Sequence, residues 1–125
     1  MSKHAGGRPL VLVLEDEVIV ALNLQDEFEE AGYSVAGPFT TCADARSWLA
    51  SNEPDAAVLD TVLKDGSCRE IALELARREI PFLIYSGHAE DRELLGEFHH
   101  VTWIEKPVPP FVLVDGCRQL LPKAA

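Results

Sequence analysis

The chain has 125 residues, enough for one hydrophobic core and too few for two at the usual ~100–200 residues per domain. With 47% apolar, 26% charged and 7% aromatic residues it has the composition of a globular protein rather than of a disordered or fibrous one. Its 21 acidic residues against 11 basic give a formal charge of −10, a field that repels phosphate backbones and anionic lipid, so direct nucleic-acid binding is not expected.

Leu10 to Leu14 is an unbroken aliphatic run that ends in charge, the pattern of a strand buried on both faces of a parallel sheet. Glu15 interrupts it far too early for a signal-peptide core or a membrane span, and membrane insertion is not expected. From Val18 onward the positions Val18, Ala21, Leu22, Gln25, Phe28 and Ala31 follow helical spacing, Gln25 being the polar exception, and Gly32 ends the helix. Tyr33 to Ala36 reads as a short second strand closed by Gly37-Pro38. A second helix follows over roughly Cys42 to Ser51, with Thr41 or a neighbour as its cap.

Ala56 to Asp60 repeats the first pattern, a buried strand that delivers a carboxylate at its end. Lys64-Asp65-Gly66 is a turn, and Ser67 can cap a third helix running to about Glu79 with Cys68, Ile71, Ala72 and Leu75 inward. Pro81 opens a fourth strand, Phe82 to Tyr85. The fourth helix, Ala89 to Phe98, is poorly specified because Gly96 interrupts it and its apolar face is thin. Val101 to Ile104 is the fifth strand, and Pro110 starts a last helix with Leu113, Val114, Cys117 and Leu121 inward. Cys42, Cys68 and Cys117 form no C-x-x-C and are odd in number, which fits a reducing cytoplasm and small core residues rather than a disulfide framework or zinc site. His99 and His100 are adjacent, with no third ligand nearby, and read as solvent-exposed.

Five strands alternating with five helices imply an α/β, flavodoxin-like (βα)5 three-layer sandwich with a five-stranded parallel sheet in the order 2-1-3-4-5. Functional groups in such sheets collect beyond the carboxyl ends of the strands. Those ends carry Glu15, Asp16 and Glu17, then Asp60, then Ser86-Gly87-His88, then Lys106. Two carboxylates ~5 Å apart repel by roughly 3 kcal/mol at an effective dielectric of ~20, so three together need cations to stay ionised. Lys106 supplies one positive charge, and the excess makes an oxygen-only site suited to a hard divalent ion such as Mg2+.

The ordered motifs V-L-V-L-E-D-E, A-A-V-L-D-T-V-L-K-D-G, P-F-L-I-Y-S-G and W-I-E-K-P resemble the receiver domain of two-component response regulators from Val11 to Leu121. Asp16 to Asp60, Asp60 to Ser86 and Ser86 to Lys106 are separated by 44, 26 and 20 residues, in keeping with that resemblance. It implies a stand-alone cytoplasmic receiver over residues 10–122, between tails at 1–9 and 123–125. It further implies that Asp60 accepts a phosphoryl group and that Asp16, Asp60 and the Val62 backbone carbonyl ligate Mg2+, with Glu15 reaching the metal through water. Ser86, the Gly87 amide and Lys106 would hold the phosphoryl oxygens, and Trp103 would be the aromatic switch. By the same resemblance, Val62 and His88 would flank the acceptor at positions that tune the lifetime of the phosphorylated state. The implied partners are a sensor histidine kinase or histidine phosphotransfer domain and a downstream protein target. Such a chain is a signalling phosphoacceptor that assists its own phosphorylation and slow dephosphorylation, not a turnover enzyme.

Three rivals are weaker. A flavodoxin-type cofactor binder needs an uncharged hydroxyl-rich loop where this chain has Glu15-Asp16-Glu17. An aspartyl-phosphate hydrolase of the haloacid dehalogenase kind needs a second aspartate where Val62 stands. A pseudo-receiver, a binding module that signals without phosphate, is the third alternative.

Overall fold

The computed structural model describes residues 7–87 and 91–121. Five strands build one parallel sheet: β1 (Leu10–Leu14), β2 (Ser34–Phe39), β3 (Ala56–Asp60), β4 (Phe82–Ser86) and β5 (Thr102–Glu105), in the spatial order β2-β1-β3-β4-β5. The helices are α1 (Val18–Glu30), α2 (Cys42–Leu49), α3 (Arg69–Arg77), the single turn α4 (Asp91–Leu94) and α5 (Pro110–Leu120). Fold class and strand order are those expected from the sequence.

Alternation along the strands sorts the core into two layers. Leu12, Leu14, Ala57, Leu59, Phe82 and Ile84 face α2 and α3, where they meet Ala45, Leu49, Ile71 and Leu75. Val11, Val13, Val58, Leu83 and Tyr85 face α1 and α5, where they meet Leu24, Phe28, Leu113, Val114 and Cys117. Burying each large side chain contributes about 1.5–3 kcal/mol, so both faces of the central strands hold the sheet in register. The two-period alternation also means that a one-residue slip would exchange the two layers.

Local signals place the helix ends. Thr41 Oγ1 accepts the Asp44 amide N–H at 3.1 Å, as a cap of α2, and Ser67 Oγ accepts the Arg69 N–H at 3.1 Å at the start of α3. Gly32 (φ +98°) closes α1, and the Tyr33 N–H returns to the Phe28 carbonyl at 3.0 Å. Glu79 (φ +59°) does the same after α3, which stops at Arg77, so the chain turns out of the helix where the sequence extended it.

Four other expectations need correction. β2 does not stop at Gly37-Pro38 but runs through both to Phe39, with an irregularity in its pairing to β1 between Leu12 and Leu14. Gly37 (φ +95°) permits this, for a Cβ there would stand 2.5 Å from the Phe39 nitrogen and 3.1 Å from the Val13 carbonyl. α1 buries Ala21, Leu24 and Phe28, while Val18, Leu22 and Ala31 of the expected inward series are exposed. In the described part of the fourth crossover a helical turn at Asp91–Leu94 gives way to a 3-10 turn at Gly96–Phe98, so the expected helix does not continue to Phe98; Ala89 and Glu90, at its expected start, lie outside the described residues. β5 begins one residue late and ends at Glu105.

Beyond Asp60 the chain forms a small antiparallel ribbon, Val62–Leu63 against Gly66–Ser67, before entering α3. The intervening Asp65 folds back onto α2, its Oδ1 accepting the Cys42 N–H at 2.7 Å and its Oδ2 the Ala43 N–H at 3.0 Å. No helix among the described residues is long and apolar enough to cross a membrane.

Candidate functional site

Because β1, β3, β4 and β5 are parallel, their carboxyl ends emerge on one edge and bring together residues far apart in sequence. Asp60 ends β3, opposite Tyr85 of β4, and Ser86 ends β4, opposite Glu105 of β5. The Lys106 amide N–H donates to the Ser86 carbonyl at 2.7 Å, so the main chain that carries the lysine is anchored to the strand that carries the serine.

The Lys106 side chain turns back across this edge. Its Nζ lies 2.8 Å from Asp60 Oδ2 and 3.2 Å from Glu15 Oε1. Glu15 Oε2 accepts the Glu17 amide N–H at 3.0 Å, which ties the carboxylate to the start of α1. Glu15, Asp16 and Asp60 each offer an oxygen within 4.8 Å of the others. Three carboxylates and one ammonium leave an excess of two negative charges in this volume. Glu15 and Asp60 are buried, and Asp16 lies at the rim.

Burial and charge pull in opposite directions here. Desolvation pushes the Glu15 and Asp60 carboxyls above their ordinary range, and the neighbouring ammonium offsets this only in part. Burial alone would lower the Lys106 ammonium, but the bonds and charges of Asp60 and Glu15 reverse this and hold it above the usual lysine range. An oxygen-only donor set with surplus negative charge, half open to solvent at Asp16, fits a hard divalent cation.

The remaining expected residues occupy the same edge or its flank. Ser86 is buried at the end of β4, and Gly87 follows it beside the Lys106 stem, where a Cβ would make only ordinary contact, 3.7 Å from the Lys106 Cδ. Val62, two residues past Asp60, exposes its side chain on the ribbon, and its backbone N–H bonds the Asp60 carboxylate. His88 lies outside the described residues. Trp103 stands apart from the carboxylates, donating its indole N–H to the Phe98 carbonyl at 3.0 Å beneath the Arg92 guanidinium, 4.7 Å from the ring centre. His99 and His100 are exposed, and among the described residues no metal-ligating cluster includes them.

The response regulator receiver domain profile matches residues 11–117. The chain belongs to this family. Among solved structures, the chain resembles SdrG from Sphingomonas melonis Fr1 at 28% identity and a TM-score of 0.76, covering 90% of this chain and 96% of that one. The non-phosphorylated HemR receiver domain from Leptospira biflexa matches at 23% identity and a TM-score of 0.78 over 94% and 98% of the two chains. A CheY-like receiver domain protein from Methanospirillum hungatei JF-1 matches at 19% identity and a TM-score of 0.77 over 90% and 93%. No match was found among curated protein sequences.

Two features of this receiver site carry little sequence signal. Tyr85 places its ring under the Lys106 ammonium, 4.8 Å from centroid to Nζ. Val18, Ile19 and Leu22 on α1, which starts two residues after Asp16, and Phe111 on α5 expose large apolar side chains, with Ile19 71% exposed.

Proposed function

We propose that the protein accepts a phosphoryl group on Asp60 from a phosphohistidine of a sensor kinase or histidine phosphotransfer domain, within a two-component signalling pathway. The observation that carries this reading is the meeting of Asp60, Glu15, Asp16 and the Lys106 ammonium in one partly open volume.

An Asp60 carboxylate oxygen attacks phosphorus, forming a P–O bond while the P–N bond of the donor breaks and the electron pair leaves with the imidazole. Such transfers have a loose transition state with charge on the equatorial oxygens, so positioned positive charge matters more than covalent assistance. Lys106, already at the acceptor, turns to those oxygens. The Ser86 hydroxyl and the Gly87 amide donate to the others. Asp16, Asp60 and the Val62 carbonyl would hold Mg2+, with Glu15 one water further out. A bound Mg2+ neutralises the surplus carboxylate charge and the charge that develops on the phosphoryl oxygens. The product is an acyl phosphate, which water later cleaves, and the chain acts as a signalling acceptor rather than a turnover enzyme.

The donor docks on the apolar surface of α1 and α5. Val18 and Ile19 follow Asp16 by only two and three residues, so a helix that covers them delivers its histidine to the carboxylate rim. Clustered exposed apolar side chains beside a charged site mark a contact surface. Phosphorylation replaces the single charge of the Asp60 carboxylate with the roughly 1.5–2 negative charges of an acyl phosphate. Ser86 drawn toward them makes room for Trp103, altering the surface of α4, β5 and α5 that a downstream protein reads.

Incubating the protein with a small acyl phosphate and Mg2+ tests the chemistry. Intact mass is expected to rise by one phosphoryl group, and not to rise for Asp60→Asn. An unchanged mass in the unaltered protein overturns the reading and leaves a module that signals by protein contact alone.

A further inference from the structure

The lysine at the acceptor has a third partner that is neither carboxylate nor backbone. We propose that Tyr85 is a positioning residue, whose ring face keeps the Lys106 ammonium at the phosphoacceptor and ready to meet the incoming phosphoryl group. This rests on the phosphoacceptor reading and adds to it a residue that the phosphoryl chemistry alone does not call for.

The geometry carries the argument. Tyr85 sits opposite Asp60 in one strand pairing and opposite Ile104 in the other, so it stands between the acceptor strand and β5, the strand that leads into Lys106. The ring is buried, packed in the layer with Leu83, Val13 and Val58, and cannot swing into solvent. Lys106 Nζ lies 4.8 Å from its centroid while donating to Asp60 and Glu15. An aromatic face attracts a cation through its quadrupole, and more strongly where water is excluded.

The consequence concerns the moment of transfer. When Asp60 becomes an acyl phosphate, its oxygens no longer hold the ammonium as a free carboxylate does. A four-carbon side chain released from one partner has rotamer freedom that it must lose again before it can reach a phosphoryl oxygen. The ring face is unchanged by the reaction. It keeps one side of the ammonium occupied throughout, and the N–H groups on the other side turn toward the new oxygens without a search, which is preorganisation of the kind that lowers barriers in charge-stabilised transfers.

Tyr85→Phe keeps the ring and Tyr85→Leu keeps only the apolar volume, so the pair separates the aromatic face from packing. With a small acyl phosphate at saturating Mg2+, the phenylalanine variant is expected to be phosphorylated within about twofold of the unaltered rate, and the leucine variant roughly three- to tenfold more slowly. A second readout is spectroscopic. The Lys106 ε-methylene protons should show an upfield ring-current shift in the unaltered protein and in Tyr85→Phe, and should lose it in Tyr85→Leu. This shift can be measured in the unaltered protein alone, so a leucine variant that fails to fold does not shield the proposal. A folded leucine variant phosphorylated at the unaltered rate, or unshifted methylene signals in the unaltered protein, would overturn the role of Tyr85 while leaving Asp60 as acceptor. No phosphorylation of the unaltered protein overturns both.

Discussion

Asp65 accepts the backbone N–H of Cys42 from 23 residues away, at 2.7 Å, so the turn that follows β3 also caps the start of α2. Those two bonded amides, of Cys42 and Ala43, hold the Asp65 carboxyl below its usual range. A group depressed in the folded state contributes stability above its unfolded pKa and loses it as the pH falls through the folded value. Asp65→Ala should therefore unfold at lower urea than the unaltered protein at pH 7. The gap should narrow as the pH drops below about 4, where aspartate begins to take up its proton. Paired urea titrations at neutral and acid pH check this.

Asp60 and Glu15 behave in the opposite sense. Burial raises both carboxyls, so their ionised forms weigh against the fold, and the penalty grows as the pH rises through the carboxylate range. Without Mg2+ at neutral pH, Asp60→Asn is expected to melt above the unaltered protein. Mg2+ at a hundred times its dissociation constant should stabilise the unaltered protein by about 2.7 kcal/mol, and the asparagine variant by clearly less. Thermal scans with and without the ion would refute this if the variant melts lower in its absence.

The apolar surface on α1 separates docking from chemistry. Ile19→Asp places a charge on the most exposed of its residues without touching the core. Transfer from a phosphohistidine donor should slow by tenfold or more, since one lost apolar anchor at an interface costs about 1–2 kcal/mol and the added charge costs more. Phosphorylation by a small acyl phosphate should stay within about twofold. Equal slowing with both donors would place Ile19 in the chemistry instead.

α5 approaches the sheet at Gly116, where a Cβ would stand 2.8 Å from Leu83 Cδ2 and 3.4 Å from Ile104 Cδ1. Leu83 is wholly buried and has little room to yield. Gly116→Val is expected to lose about 1–3 kcal/mol to overpacking, measured by equilibrium denaturation. Gly116→Ala should lose less, because better helix propensity, worth about 1 kcal/mol, offsets part of the strain.

Most of the fold was legible because the sheet is parallel and buried on both faces, so Leu10 to Leu14, Ala56 to Leu59 and Phe82 to Tyr85 had to be continuous apolar runs. The gathering of Glu15, Asp16, Asp60 and Lys106 at one edge followed from those strand ends. Other features depend on relations that one local window does not contain. Around α1 the apolar residues Val18, Ile19, Ala21, Leu22, Leu24 and Phe28 cover too wide an arc for periodicity to show which side meets the sheet, and the covered side proved to be that of Leu24. Asp65 as a cap of α2, and the approach of the Cys42 and Cys68 sulfurs to 3.8 Å, arise from a ribbon folding across two helices. Tyr85 is aromatic on a strand and reads as core until its neighbour's lysine is placed. The fourth crossover lacked the apolar stripe that would have made it a full helix.

Pro38 lies within β2, which pairs with β1 alone and forms a margin of the sheet. A proline has no amide hydrogen to offer a further strand, and Gly37 kinks the backbone just before it. Pro38 thus leaves a second molecule's strand one main-chain donor fewer to pair with, which opposes lateral growth of the sheet from the β2 edge.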